Sequence, residues 1–413
     1  MRSLFRLWCA AVVLLLCGPL AAGPKPDRLG PMLEVRAGFP GGSAEVVRID
    51  QAARLVRIRP ARHTGRGWAC WWYLLLTGIR PGEEITLEVE GGVWAWPTRA
   101  AFSLDDARWQ QTPPGRPEKA AGGKAAAMVF RQKIDADRAW LAWGPPYLPR
   151  HAEELISRAG RALPGARRFV LCRTREDREV PALRIAGPAA EGEGRPSVWI
   201  QARQHAWESG SSWVGHGLVE WLISDDSRAA ALRKAADVTF VPIMDVDNVV
   251  RGAGGKDQSP HDHNRDWSDK PHWPSVAAAM AEISRLAAAG RFRLFVDLHN
   301  PAAGDHEPFF FLPPAEDLSG RQRGGLKLFL AAAQAEMTGP LAFRGRTKVS
   351  GREYDRNYRK ISKNWVVSHT DGNTVAVTLE TSWNTPHSTR DNYRRVGREL
   401  GLGIERFLRL GGP

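Results

Sequence analysis

The chain has 413 residues, of which 25% are charged and 43% hydrophobic, and its formal net charge is +13. This length exceeds that of a single minimal domain, and the mixed composition excludes collagen, coiled-coil and wholly disordered chains. The excess of basic over acidic residues is compatible with binding to nucleic acid, to a membrane surface or to acidic substrates, and equally with none of these partners.

The first 22 residues have the pattern of a signal peptide. Arg2 and Arg6 give a positive start, residues 10–16 form an apolar stretch, and small residues surround an expected cleavage near Ala22. The apolar stretch is well short of the roughly 20 residues that a membrane span needs. We therefore expect an exported protein, periplasmic or secreted, with no stable membrane span after cleavage and a net charge of +11. The alternative is an uncleaved anchor.

Two cysteines, Cys70 and Cys172, remain after removal of the signal segment. Export permits a disulfide between them, but two separate thiols fit the sequence equally well. The chain has no Cys-x-x-Cys pair, which excludes a thiolate zinc site of that kind.

Residues 24–147 are predicted to form an all-β domain. Short alternating runs at 45–49, 55–58 and 84–88 are separated by glycine and proline turns. Eight of the 17 tryptophans lie in this region. We interpret them as core residues in preference to a sugar-stacking surface, because buried tryptophans often fill small sandwiches.

Residues 148–413 are predicted to form an α/β domain, because apolar strands alternate with amphipathic helices. The strands are predicted at 169–172, 198–202, 238–243, 294–298 and 375–379. The helices are predicted at 151–161, 211–223, 276–289, 326–336 and 393–408. Ligands of such sheets collect at the carboxyl ends of the strands, so candidate site residues are sought there.

Three residues at strand ends have the side chains of a zinc site. His205 and Glu208 follow the strand at 198–202 and are three residues apart, while His299 follows the strand at 294–298. Two imidazoles and one carboxylate leave the fourth coordination position for water, which is typical of hydrolytic zinc sites. Each residue alone would be weak evidence.

Three more residues complete a candidate hydrolytic site. Glu380 ends the strand at 375–379, where an acid is costly unless it is paired or used, and it would serve as the general base. Asn264 and Arg265 would hold a substrate carboxylate, since a guanidinium binds that group through two parallel hydrogen bonds. The alternative for Arg265 is a surface ion pair with Asp262 or Asp266.

The ordered set resembles the M14 zinc carboxypeptidases, and the run 205–213 with Gly217 and Glu220 is most similar to their cytosolic-carboxypeptidase-like branch. The resemblance implies one Zn²⁺ per chain, held by His205, Glu208 and His299, and a water molecule activated by Glu380. It also implies a mixed, mostly parallel sheet with helices on both faces, preceded by an all-β sandwich. The branch is named for the cytosol, whereas the signal segment indicates export.

The sequence departs from that family where an arginine usually polarises the carbonyl of the bond to be cleaved. Lys256 is the first candidate for this role, as a point charge in place of a planar fork, and Arg251 is the second. The tyrosine that closes over substrate has loose counterparts in Tyr358, the candidate we favour, and Tyr354.

The leading hypothesis is a carboxypeptidase that hydrolyses the last peptide bond of peptides or proteins. The alternatives are a zinc deacylase or cell-wall peptide amidase, and a weakly catalytic binding protein for glycans or acidic polymers. No nucleic-acid recognition module is present, so no nucleic-acid partner is expected. Residues 352–363 form a basic run, with Arg352, Arg356, Arg359, Lys360 and Lys363. The run either favours substrates with acidic C-termini or is a solvated face without that role.

Overall fold

The computed structural model describes residues 31–119, 125–187 and 194–411. The predicted signal peptide lies outside these residues. Among the described helices, none combines the length and the apolar character that a membrane crossing requires.

The N-terminal region is all-β, as predicted, and contains two five-stranded sheets. The first sheet has the order β1-β4-β10-β6-β7 and the second β2-β3-β5-β9-β8. Their strands are β1 (Glu34–Arg36), β2 (Glu45–Asp50), β3 (Leu55–Arg59), β4 (Tyr73–Thr77), β5 (Glu83–Glu90), β6 (Ala101–Ser103), β7 (Gln110–Gln111), β8 (Arg116–Lys119), β9 (Ala125–Ile134) and β10 (Arg138–Ala142).

Aromatic side chains fill much of the core of these sheets. Trp72, which precedes β4, is fully buried and lies 6.2 Å from Phe130 of β9, measured between ring centroids. Trp71 and Trp143 are also buried, and their indole nitrogens donate to backbone carbonyls. A buried indole N–H needs such an acceptor, so these residues support the core interpretation of the tryptophans.

The rest of the chain has the predicted α/β architecture around an eight-stranded mixed sheet with the order β11-β12-β14-β13-β15-β18-β16-β17. Its strands are β11 (Ala166–Arg173), β12 (Glu179–Ile185), β13 (Ser197–Ala202), β14 (Asp237–Val241), β15 (Phe292–His299), β16 (Phe309–Leu312), β17 (Thr347–Val349) and β18 (Val375–Glu380). The helices are α1 (Pro149–Ala162), α2 (Ser209–Leu222), α3 (Ser227–Ala235), α4 (Val246–Arg251), α5 (Pro274–Ala288), α6 (Gly320–Glu336), α7 (Ser362–Ser368) and α8 (Arg390–Arg409).

Parallel pairing in the middle of this sheet brings three strand ends together. Strand β15 pairs in parallel with β13 on one side and with β18 on the other. β13 and β18 are buried along their whole length, as is typical of parallel strands covered on both faces. The carboxyl ends of β13, β15 and β18 therefore lie side by side.

Helix α2 begins at this edge and is held by a close contact with α8. A Cβ atom at Gly217 would lie 2.0 Å from the carbonyl oxygen of Arg394, and one at Gly397 would lie 1.8 Å from that of Val214. Only glycine permits this approach at either position, so the contact fixes where α2 starts.

The two cysteines that the sequence left open for a disulfide are separate free thiols, Cys70 buried and Cys172 partly buried.

Candidate active site

Three side chains converge at the edge where β13 and β15 end. The Nδ1 atoms of His205 and His299 each lie 2.8 Å from one carboxylate oxygen of Glu208. One potential ligand atom from each of these residues lies within 4.8 Å of the others. The structure thus brings together the three residues that the sequence predicts as metal ligands.

Local hydrogen bonds hold Glu208 at the start of α2. The Glu208 carbonyl accepts from the Ser211 hydroxyl at 2.7 Å. Asn300, which follows β15, accepts from the Ser211 backbone N–H at 2.7 Å and donates to the carbonyl of Thr381 at 2.6 Å. Asn300 therefore connects the ends of β15 and β18 to the first turn of α2.

A buried arginine that the sequence did not single out supports the loop between the two ligands. Arg203 adopts a left-handed backbone conformation, with φ 63°, directly after β13. Its guanidinium donates to the carbonyl of Ala206 at 2.9 Å and to that of Tyr147, at the end of the N-terminal region, at 3.1 Å. Burial lowers the pKa of Arg203 to about 9. Nothing in its sequence context distinguishes it from the chain's many surface arginines.

Each histidine of the cluster turns its second ring nitrogen towards a buried carboxylate. His299 Nε2 lies 3.0 Å from Asp297 Oδ2, and His205 Nε2 lies 3.5 Å from Asp262 Oδ1. Carboxylate partners of this kind fix the ring orientation and raise the basicity of histidine ligands. Both Nδ1 atoms are then left to face Glu208.

The electrostatics of the cluster suit a divalent cation. Burial works to raise the pKa of Glu208, but His205 and His299 outweigh it and keep the carboxyl ionised. Burial likewise works to lower the pKa of His299, but Asp297 and Glu208 raise it well above the usual range. Three buried carboxylates thus surround two imidazoles, so positive charge is favoured at the centre. Two nitrogens and a carboxylate are the donors that Zn²⁺ prefers, and the residues present fit that ion.

Glu380 adjoins the cluster because its strand pairs with β15 in a register that places it opposite His299. The side chain is buried, and its Oε2 atom has no hydrogen-bond partner within the described ranges. Burial is the largest cause that raises the pKa of Glu380 to about 7, although His299 opposes the shift. A carboxylate with a pKa near neutrality is suited to general-base work.

Asn264 lies beside the cluster, in a short 3₁₀ turn that also contains Arg265. Asn264 Nδ2 is 3.4 Å from His299 Nε2, and Asn264 Oδ1 accepts from the backbone N–H of Ser362 at 2.9 Å. Arg265 pairs with Asp355 at 2.6 Å. The alternative pairing of Arg265 with Asp262 or Asp266 is not what the structure has. Whether the two residues hold a carboxylate stays a prediction.

The two candidates for polarising the carbonyl lie in different places. Lys256 lines the cleft in front of the cluster, and its ammonium group is 3.3 Å from Asp262. Arg251 lies on α4, where its guanidinium is held by Glu176, 2.8 Å away. The structure therefore favours Lys256 over Arg251, because Lys256 lines the cleft and Arg251 does not.

The predicted substrate-covering tyrosine also needs correction. Tyr358 lies in a short 3₁₀ turn and contacts Arg359, outside the cleft lining. Tyr354 lines the cleft, and the residue as a whole is 50% exposed. It lies 6.0 Å from the Arg265 guanidinium, measured to the ring centroid. Of the two tyrosines, Tyr354 is therefore the one placed to contact a substrate.

The cleft has a volume of about 280 Å³ and is lined by residues of both parts of the chain. Trp68 and Trp94 come from loops of the N-terminal region, and the other lining residues come from the α/β region. The core interpretation is thus incomplete for these two tryptophans, because they also line the cleft. The sequence contains no signal for them, because they approach the metal cluster only through the packing of the two regions.

Comparison with known proteins shows which family this chain is similar to. The zinc carboxypeptidase family model, Peptidase_M14, matches residues 153–301. Cytosolic carboxypeptidase 6 of Caenorhabditis elegans is 32% identical over 157 residues, which cover 37% of this chain and 34% of that protein. An uncharacterized protein of Zymomonas mobilis is 26% identical over 244 residues, covering 57% of this chain and 60% of its own length. The chain thus spans less than two thirds of either relative.

The fold is also found in solved structures. A metallo-carboxypeptidase from Burkholderia cenocepacia superposes with a TM-score of 0.78 at 22% identity, over 92% of this chain and 99% of that one. The predicted resemblance to the M14 family and its cytosolic-carboxypeptidase branch is confirmed by the family and relative matches, and the fold class by the superposition.

Proposed function

We propose that this chain, a member of the zinc carboxypeptidase family, hydrolyses the C-terminal peptide bond of peptides or proteins with one Zn²⁺ held by His205, Glu208 and His299. The observation that carries the proposal is the cluster of these three ligands beside a cleft that His205, Glu208 and Glu380 line, with the Glu380 Oε2 atom unpartnered within the described residues. The relatives that bear the name carboxypeptidase support the same activity.

The chain's own residues supply the remaining chemistry. A zinc ion bound at this site would polarise the carbonyl and lower the pKa of a water molecule. Glu380 takes a proton from the attacking water and passes it to the amine that leaves. Lys256 places a positive charge where negative charge develops on the carbonyl oxygen. Asn264 and Arg265 hold the terminal carboxylate, which restricts cleavage to the last bond.

The decisive experiment compares two forms of one peptide. The zinc-loaded protein is expected to release the last residue of a peptide with a free C-terminus and to leave the amidated peptide intact, because amidation removes the charge that Arg265 binds. Mass spectrometry of the products, with metal analysis of the same sample, measures both. Equal cleavage of the two forms would favour the deacylase or amidase alternative. Binding of glycans without any cleavage would favour the weakly catalytic binding protein.

We further propose a preference for acidic C-terminal residues, supported by one residue of the basic run. Lys363 is 1% exposed, and its amine donates to the Ser350 hydroxyl. Within the described residues it has no carboxylate partner. The ammonium lies 5.5 Å from the ring centroid of Phe311, which lines the cleft. Burial lowers the pKa of Lys363 to about 7, so an entering carboxylate would stabilise the charged form. The other basic residues of the run are exposed.

Replacing Lys363 with methionine is expected to reduce the ratio of kcat/KM for Glu-ending over Ala-ending peptides by roughly tenfold or more. A hydrogen bond to a charged group contributes about 1.5–3 kcal/mol, which corresponds to that range. The matched control is Lys360→Met, three residues away and exposed. An unchanged ratio in the Lys363 variant would refute the acidic preference.

Export is proposed from the signal-peptide pattern of residues 1–22 alone. N-terminal sequencing of protein recovered outside the cytoplasm should begin close to residue 23, and recovery of the full-length chain from the cytoplasm would contradict the proposal.

A further inference from the structure

Two stacked tryptophans from the loops of the N-terminal region form part of the cleft wall. The ring centroids of Trp68 and Trp94 are 4.9 Å apart, and their planes differ by 23°. Both rings line the cleft that contains His205, Glu208 and Glu380. Each is only partly buried, so one part of the pair packs against the core and the rest remains open to the cleft.

The indole N–H groups of this pair are also free, among the described residues, to donate hydrogen bonds. The indole nitrogens of Trp71, Trp72 and Trp143 donate to backbone carbonyls. Within the described parts of the chain, those of Trp68 and Trp94 have no acceptor. The pair therefore offers both a flat apolar surface and hydrogen-bond donors to whatever enters the cleft.

Backbone contacts hold Trp68 rigidly against the loop that carries Lys256. Segment 65–68 runs beside segment 255–259 through three backbone hydrogen bonds of 2.8–3.0 Å, one of them from Trp68 N–H to the Lys256 carbonyl. At Gly67, with φ 87°, a Cβ atom would lie 2.3 Å from the same carbonyl oxygen. The carbonyl of Trp94 in turn accepts from the Trp143 indole at 2.7 Å. The aromatic surface is thus preorganised.

We propose that Trp68 and Trp94 form a subsite for an aromatic side chain of the substrate, on the amino-terminal side of the bond that is cleaved. The inference rests on the proposed carboxypeptidase function. The carboxylate-binding candidate Asn264 contacts His299, whereas Lys256 pairs with Asp262 beside His205. A peptide whose C-terminus lies at Asn264 and whose chain crosses the metal centre towards Lys256 brings its upstream residues to the tryptophan pair.

The test measures binding apart from turnover. The zinc-loaded Glu380→Gln protein is titrated calorimetrically with acetylated Ala-Ala-Ala-Ala-Glu and with versions that carry phenylalanine at the second, third or fourth residue from the C-terminus. One of the phenylalanine peptides should bind about tenfold more tightly than the all-alanine peptide, the scale expected for stacking of two aromatic groups. Trp94→Leu in the same background should abolish that difference.

The matched control is Trp140→Leu. Trp140 is a tryptophan of the same region, in β10, that is also partly buried but does not line the cleft, and its replacement should leave the tenfold difference unchanged. In the active protein, Trp94→Leu should raise KM for the preferred peptide about tenfold with little change in kcat.

Three outcomes would overturn the subsite: equal affinity for all peptides, an equal loss for the alanine and phenylalanine peptides in Trp94→Leu, or displacement of the peptide by a neutral oligosaccharide. If the wild-type chain cleaves no peptide while the phenylalanine preference persists, the proposed function fails, and the tryptophan pair remains an aromatic-binding surface without a position relative to a cleaved bond. If the protein cleaves peptides without a preference for phenylalanine, the proposed function stands and the tryptophan subsite fails.

Discussion

Replacing Glu380 with glutamine is expected to lower kcat for C-terminal hydrolysis by about 10²–10⁴-fold while zinc remains bound at one ion per chain. This range is the usual contribution of a positioned general acid or base. Glutamine keeps the volume of the side chain but cannot accept the proton of the attacking water. The change is measured from steady-state rates on one Glu-ending peptide, with metal analysis of the same preparation.

The prediction separates a catalytic role from a structural one. Glu380 is buried and unpartnered at Oε2, so the neutral amide should not destabilise the fold, and the melting temperature is expected to stay the same or rise. Glu353→Gln is the control, because Glu353 is an exposed carboxylate next to Tyr354 in the chain. Unchanged kcat in the Glu380 variant at full zinc occupancy would refute the mechanism.

The sequence predicted the central strands and the metal ligands well because both follow from local pattern. Strands β13, β15 and β18 are short apolar runs, and the ligands stand within six residues of the strand ends. Since parallel strands end at one edge, residues far apart in the chain meet there without any further information. The metal cluster is therefore largely readable from the sequence.

Residues that act through long-range packing were not predictable in this way. The guanidinium of Arg203 links the loop of Ala206 to Tyr147 at the end of the N-terminal region. Trp68 reaches the cleft because its segment pairs with the loop of Lys256, almost 190 residues later. Arg251 and Tyr358 are candidates by resemblance to family residues, and the structure places each outside the cleft lining. Sequence spacing carries no information about such contacts.

The carboxylate behind His299 is expected to control zinc affinity. Asp297 is fully buried, and its Oδ2 atom accepts from His299 Nε2 at 3.0 Å, from the Gln204 side chain at 2.5 Å and from the Ser362 hydroxyl at 2.6 Å. These bonds fix the ring so that its Nδ1 atom faces Glu208. Replacing Asp297 with asparagine should weaken zinc binding about 10–100-fold, the usual cost of losing such a partner.

Zinc affinity is measured by competition with a chelator of known strength, and Asp305→Asn is the matched control. Asp305 also lines the cleft, but it pairs with Lys348 and Arg346 instead of a metal ligand, so its replacement should leave zinc affinity unchanged. Equal zinc affinity in the wild-type and Asp297→Asn proteins would show that Asp297 does not support the metal centre.

The Asp297→Asn variant also tests whether zinc binding needs the negative charge of the carboxylate or only its capacity to accept hydrogen bonds. Asparagine can still accept from His299 through its oxygen, but its NH₂ group then faces the Gln201 side-chain nitrogen, which lies 3.4 Å from Asp297 Oδ1. Gln201 cannot simply rotate, because its oxygen accepts from the Trp199 indole. A loss of zinc affinity at an unchanged melting temperature would assign the effect to the missing negative charge, since a conflict of donors in the core would lower both.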